Sequence, residues 1–209
     1  MAITTYAELK TAIANELDRS DLTSEIIDFI TLAESYFMHG GRDGGEPLRV
    51  REMEFEADLT AASNVYTLPT DYLGAIDVTA TTSPLRQLDM ISKRAANNLY
   101  AIRSGGYPNH YFVVGSNLTA LPYTSADIEL TYYQILPALS DANTSNWLLA
   151  KMPNLYLRAA LMEAGIFLRD DALAAPMKAL TDSYISTLNN SSDAARFANG
   201  SMVPTEQWA

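Results

Sequence analysis

Leu48-Arg49-Val50-Arg51-Glu52-Met53-Glu54-Phe55-Glu56-Ala57-Asp58 is the stretch at which the chain changes period. Apolar and charged residues alternate here for eleven positions, which is the two-residue repeat of a strand. The alternation predicts a strand with Glu52, Glu54, Glu56 and Asp58 on one face. A helix continuing from the preceding hairpin is the competing reading.

The period before this stretch is helical. Thr5-Tyr6-Ala7-Glu8 has the form of a capping box, and Tyr6, Leu9, Ile13 and Leu17 follow on one face. After the polar break 18–21, Ile26, Ile30, Ala33 and Phe37 mark a second helix, stopped by Gly40-Gly41. The two predict a helical hairpin. The loop 40–47 has four glycines in eight residues and is expected to be mobile.

After the stretch, short strand candidates recur at 65–68, 75–81 and 84–88. Two more, 110–114 and 118–121, flank a turn at Gly115-Ser116-Asn117. Ile128, Leu130 and Tyr132 alternate in another. One short helix, 92–102, interrupts them. From Asn143 the period is helical again: a turn at 146–149, an apolar helix from Pro153 to Leu168, and a last helix from Asp171 to about Leu188. Pro176 would kink that last helix or delay its start. The 153–168 helix is apolar almost all round, so it is expected to be buried in a core or between subunits. The fold class is therefore α+β. Terminal helices (1–47 and 143–190) form a bundle, a small β-rich subdomain (48–142) is inserted, and an extended tail (191–209) follows.

Composition narrows the chemistry. The chain has 209 residues, a net charge of −11 and no cysteine, which removes disulfides, thiolate metal sites and cysteine nucleophiles. With 14 Lys+Arg against 25 Asp+Glu it is a poor candidate for gripping nucleic-acid phosphates. Residues 1–58 hold 13 of the acids and only 5 of the bases. Met1 to Thr5 lacks the basic start of a secretion signal, and no window is apolar enough to cross a membrane. Two histidines, His39 and His110, cannot build a histidine-rich metal site, and neither a nucleophile elbow, a Walker loop nor a zinc-protease motif occurs. The Glu52–Asp58 acids could be read as a glycosidase pair. That chemistry needs two carboxyls in different environments across a cleft, and four in a row on a strand face water instead. No catalytic residue, metal or cofactor is expected. The tail carries Phe197, Met202, Val203 and Trp208 in a stretch too short to form its own core, and such residues gain most by docking on another surface.

A larger pattern is carried by Tyr132-Tyr133-Gln134-Ile135-Leu136-Pro137-Ala138-Leu139-Ser140-Asp141, Asn143, Asn146-Trp147-Leu148-Leu149 and Pro153. It continues through Tyr156-Leu157, Ala160-Leu161, Glu163-Ala164, Phe167-Leu168 and Asp170-Asp171. The N-terminal half adds Tyr6-Ala7-Glu8-Leu9, Arg19, Asp21-Leu22-Thr23, Phe29-Ile30, Leu32-Ala33-Glu34 and Leu48 to Glu54. Over about 5–190 the whole resembles the head-to-tail adaptor proteins of tailed bacteriophages, chiefly short-tailed ones. It departs from them in the glycine loop, where the family runs from helix two almost directly into Leu-Arg-Val-Arg.

The resemblance implies a structural virion protein made in the host cytoplasm and placed at the head–tail junction. It implies a ring, usually of twelve copies, beneath the portal protein, extending the channel for genomic DNA and offering tail proteins a platform. It implies no catalytic residues to transfer and no membrane. By position, Arg196, Phe197, Met202, Val203 and Trp208 would dock on the portal. Glu52, Glu54, Glu56 and Asp58 would face the channel or its rim, where DNA slides without sticking. The helical bundle would carry the ring contacts, with Leu155, Leu157, Leu161 and Phe167 packing between subunits. The alternatives are a cell-wall-degrading virion enzyme using the 52–58 acids, and a free protein-binding module.

Overall fold

The computed structural model describes residues 3–41, 44–62, 64–81, 85–103 and 105–197, with Arg196 and Phe197 as backbone only. These residues divide into two compact units, one from the two ends of the chain (up to Glu52 and from Leu136) and one from its middle (Met53–Ile135).

The first unit is helical. α1 (Tyr6–Leu17) opens on the expected capping box: Thr5 Oγ1 accepts the Glu8 N–H and Glu8 accepts the Thr5 N–H. α2 (Thr23–His39) ends at Gly40, whose N–H bonds the Tyr36 carbonyl at 2.8 Å and whose positive φ of 74°, open to glycine, turns the chain out of the helix. α4 (Trp147–Lys151) is capped by Asn146, and α5 (Pro153–Leu168) starts on a proline at its first position, where a missing N–H costs nothing. α6 (Asp171–Phe197) is capped by Asp170, whose Oδ1 accepts the N–H groups of Ala172 and Leu173. Pro176 lies inside it, so the proline does not delay the start of the helix. α5 lies at the centre, against α1, α2, α4 and α6. Gly165 lets α6 come close, since a Cβ there would meet Ala174 backbone atoms at 2.8–2.9 Å.

The alternating stretch is only partly a strand. Leu48 and Val50 are buried, but the backbone there has no regular secondary structure and does not join a sheet. Its groups bond the helices instead. The Leu48 N–H reaches the Phe37 carbonyl, Asn189 of α6 accepts from the Arg49 N–H and donates to the Pro47 carbonyl, and Ser192 accepts from the Arg51 N–H. Arg51–Met53 is a single 3₁₀ turn, and the strand proper, β1, is Glu54–Leu59. For the same reason α6 does not fray at Asn189–Ser192: those residues hold the 47–51 segment, and the helix continues to Phe197.

The middle unit is a two-sheet sandwich. The first sheet sets β1 beside β8 (Ile128–Gln134), β3 (Tyr72–Ala80) and β4 (Arg86–Gln87), all antiparallel, in the order β1-β8-β3-β4. The second has β2 (Tyr66–Thr67), β7 (Asn117–Leu121), β6 (His110–Val114) and β5 (Asp89–Met90), in the order β2-β7-β6-β5, with β5 and β6 parallel. Between the sheets lies one apolar cluster that includes Tyr66, Val78, Tyr111, Leu118, Leu130 and Tyr132. Tyr66 is completely buried and donates its hydroxyl to the Ala126 carbonyl at 2.6 Å. On the far side of the second sheet, α3 (Lys93–Leu99), capped by Ser92, seats Ala96 on Phe112 and Leu121.

Candidate functional site

The predicted acidic ladder loses one member and gains two. Glu52 sits in the 3₁₀ turn and is ion-paired with Lys151, which holds its carboxyl below the usual carboxylate range. It is not on the strand face. Glu54, Glu56 and Asp58 are on it, because Phe55, Ala57 and Leu59 pair with the inward Tyr132, Leu130 and Ile128 of β8. The same register brings Glu129 directly opposite Asp58, and Asp77 of β3 beside Thr131. Asp77 is held by Gln87 Nε2 at 2.6 Å and Thr79 Oγ1 at 3.0 Å. Glu129 and Asp77 lie 71 and 19 residues from Asp58 in sequence, so no local pattern joins them to the ladder. Glu56, Asp58 and Glu129 are exposed. Among the described residues no group of three or more His, Cys, Asp or Glu is placed to hold a metal ion.

The candidate packing helix divides too. Leu155, Leu157 and Leu161 are buried. As the central helix of its unit, α5 has neighbours on nearly every side, so these three are not open to another subunit. Its C-terminal end is exposed, with Ile166 at 59% and Phe167 at 56%. The Phe167 ring stands 5.4 Å from that of the buried Phe29. Of the candidate tail residues, Arg196 and Phe197 form the last turn of α6, and Met202, Val203 and Trp208 lie outside the described residues. Near that end of α6 a cavity of about 230 Å³ is lined by Val50, Trp147, Met152, Leu188 and Ser191.

Two polar networks escaped sequence reading. Glu34 is buried in α2, and its Oε1 accepts the Leu139 N–H at 2.8 Å and the Tyr156 hydroxyl at 3.1 Å. Asn146 donates to the Tyr156 oxygen and to the Pro137 carbonyl while capping α4. Burial pushes the Glu34 carboxyl up, and the two hydrogen bonds only partly offset it. Burial and the neighbouring Glu34 push the Tyr156 phenol up strongly. The second network is Tyr36, which donates to Asp182 at 2.5 Å; Asp182 also takes the Lys178 ammonium at 2.8 Å. Burial and Asp182 raise the Tyr36 phenol to about 12. The loop glycines belong to this site: a Cβ on Gly41 or Gly45 would meet the Tyr36 hydroxyl at 2.7 or 2.5 Å. Both networks tie helices together.

The second sheet carries a different surface. A cavity of about 320 Å³ on its outer side is lined by Lys93, Arg103, Phe112, Val114 and Tyr123, among others. Arg103 donates to the Tyr123 hydroxyl at 3.1 Å and bonds Asn97.

No curated protein matches the chain. The family model described as SU10 adaptor protein matches residues 4–204, nearly the whole sequence. The chain belongs to that family, the phage head-to-tail adaptors, and its role is that of a structural adaptor.

Proposed function

We propose that the protein assembles as a ring, of about twelve copies by analogy with its family, beneath the phage portal. There it extends the DNA channel and gives the tail its attachment platform. The observation that carries this reading is the extent of the family match, which runs to residue 204 and so includes Arg196, Phe197, Met202 and Val203. Those residues, with Trp208, dock on the portal, where an aromatic and apolar tail finds the burial it lacks alone. The net charge of −11 per copy repels DNA from the ring as a whole, so the genome passes without being held. A cell-wall hydrolase built on the 52–58 acids gains no support, because Glu52 is neutralised by Lys151 and Glu56 and Asp58 stand on an open sheet face.

Co-sedimentation of the purified chain with its cognate portal tests the reading. The full chain is expected to join the portal, and a chain ending at residue 195 is expected to stay folded by circular dichroism but remain free. Equal recruitment of both would refute the tail as the docking element; no recruitment of the full chain would refute the adaptor placement.

A further inference from the structure

The four Lys and Arg residues of the β-rich unit, Arg86, Lys93, Arg94 and Arg103, all fall between residues 86 and 103, with Asp89 the one carboxylate among them. The rest of that unit carries seven carboxylates and no Lys or Arg. Arg86 lies on β4 of the first sheet, paired with the inward Ala80, but for the other three bases the fold turns this sequence asymmetry into a spatial one. Glu54, Glu56, Asp58, Asp77 and Glu129 share the outer face of the first sheet. Lys93 and Arg103 rim the cavity on the outer face of the second, and Lys93 and Arg94 open α3. The two faces are on opposite sides of one sandwich, with the apolar cluster between them.

Each face also has the character of an unfilled contact. On the acidic side, Asp58 stands directly opposite Glu129, a like-charge pair that weakens the sheet unless something neutralises it. On the basic side, α3 ends in Leu99, exposed at 64%, and Ile102, exposed at 80%, directly precedes Arg103, which bonds Tyr123. Apolar side chains mixed with arginine and tyrosine are the usual make-up of an interface centre.

We infer that the acidic face of the first sheet in one copy binds the basic α3 face of the second sheet in the next copy. Because the two surfaces differ and lie on opposite sides, the contact is head-to-tail: it leaves a free face at each end and closes only as a ring. The inference rests on the ring reading above and deepens it by naming the surfaces. It gives Glu56, Asp58 and Glu129 to the neighbouring subunit rather than to the channel wall.

Charge reversal on the full chain tests it, read by analytical ultracentrifugation over a range of concentration and salt. Wild type is expected to self-associate and to do so less as salt rises. The reversed set Glu56→Lys, Asp58→Lys, Glu129→Lys is expected to weaken association at least tenfold. So is the set Lys93→Glu, Arg94→Glu. An equimolar mixture of the two sets is expected to recover it, because each variant then meets an opposite charge only on the other. The milder set Glu56→Gln, Asp58→Asn, Glu129→Gln is expected to lose less, and covers the case in which a reversed set fails to fold. A wild-type chain that stays monomeric to about 1 mM overturns the contact, as does a mixture no more associated than its components. Portal co-sedimentation remains a separate readout. If wild type joins the portal but the mixture shows no recovery, the pairing of faces falls and the adaptor placement stands.

Discussion

The two units treat their polar groups in opposite ways. In the helical unit, polar side chains are turned inward and matched: Glu34 to Tyr156 and Leu139, Asn189 and Ser192 to the 47–51 backbone, Asp182 to Tyr36 and Lys178. In the β-rich unit the interior is an apolar cluster, and most charge is left outside, with Glu54, Glu56, Asp58, Asp77 and Glu129 on the outer face of the first sheet and Lys93, Arg94 and Arg103 beside the second. The first arrangement fixes one packing of helices, since each buried group is costly when its partner is missing. The second adds little to the fold itself, and leaves surface free for other molecules. The contrast can be broken from either side.

The largest effect is expected from Tyr156→Ala. It empties a fully buried site, removes the edge-on contact with Phe37 (ring centroids 5.2 Å apart), and strips Glu34 and Asn146 of a partner. A loss of about 3–5 kcal/mol is expected. The chain has two tryptophans, Trp147 in the helical unit and Trp208 in the tail, so in a Trp208→Phe background the fluorescence transition in urea reports the helical unit. A loss below about 1 kcal/mol would mean that the network does not hold α5 in place.

Next in size is Asn189→Ala, which leaves the Arg49 N–H and the Pro47 carbonyl without their partner. About 1–3 kcal/mol is expected for an unsatisfied, partly buried group. Amide exchange at Arg49 and Arg51 should rise with it. Unchanged exchange at Arg49 would show that the segment is held by Leu48 and Val50 alone.

This segment also shows what the sequence could and could not reveal. Alternation at 48–58 correctly set Leu48 and Val50 inward and found the strand from Glu54, but periodicity records which side chains alternate, not what the backbone bonds to. Here the partner is a helix face 140 residues away. The helices themselves were legible because their caps are local: Thr5 with Glu8, Asn146 with Leu149, Asp170 with Ala172. The 115–116 turn was legible for the same reason, as Gly115 takes the positive φ of 61° that joins β6 to β7. The candidate surfaces were legible in part. Three ladder acids could be placed from period alone, while Glu129 and Asp77 join them only through strand pairing. The all-apolar look of α5 did not say what covers it; its own unit covers Leu155, Leu157 and Leu161 and leaves Phe167 open.

A pH experiment isolates one inward group. Glu34 has a raised carboxyl pKa in the folded chain, so folding favours its protonated form. Its contribution is fully present below the ordinary carboxylate value and is lost as pH rises through the raised one. Glu34→Gln keeps an oxygen for Leu139 and Tyr156 and cannot ionise. Its stability relative to wild type is therefore expected to rise between the ordinary carboxylate value and neutrality. Parallel stability curves for the two proteins would show that Glu34 ionises without penalty.

The smallest effect tests the outward charges, and its sign is what matters. Asp58→Lys converts a like-charge pair with Glu129 into an opposite pair on an exposed face. About 0.2–1 kcal/mol of added stability is expected, seen as a rise in the urea midpoint. A helical-unit residue such as Asn189 gives no comparable gain on substitution, because its groups are already matched. If the acidic face exists for a neighbour, the same change that stabilises the single chain should weaken association between copies, as functional sites often hold interactions that the isolated fold would do better without. Gain in both properties would mean that Asp58 serves neither, and loss of stability would mean that the Asp58–Glu129 repulsion is already relieved within one chain.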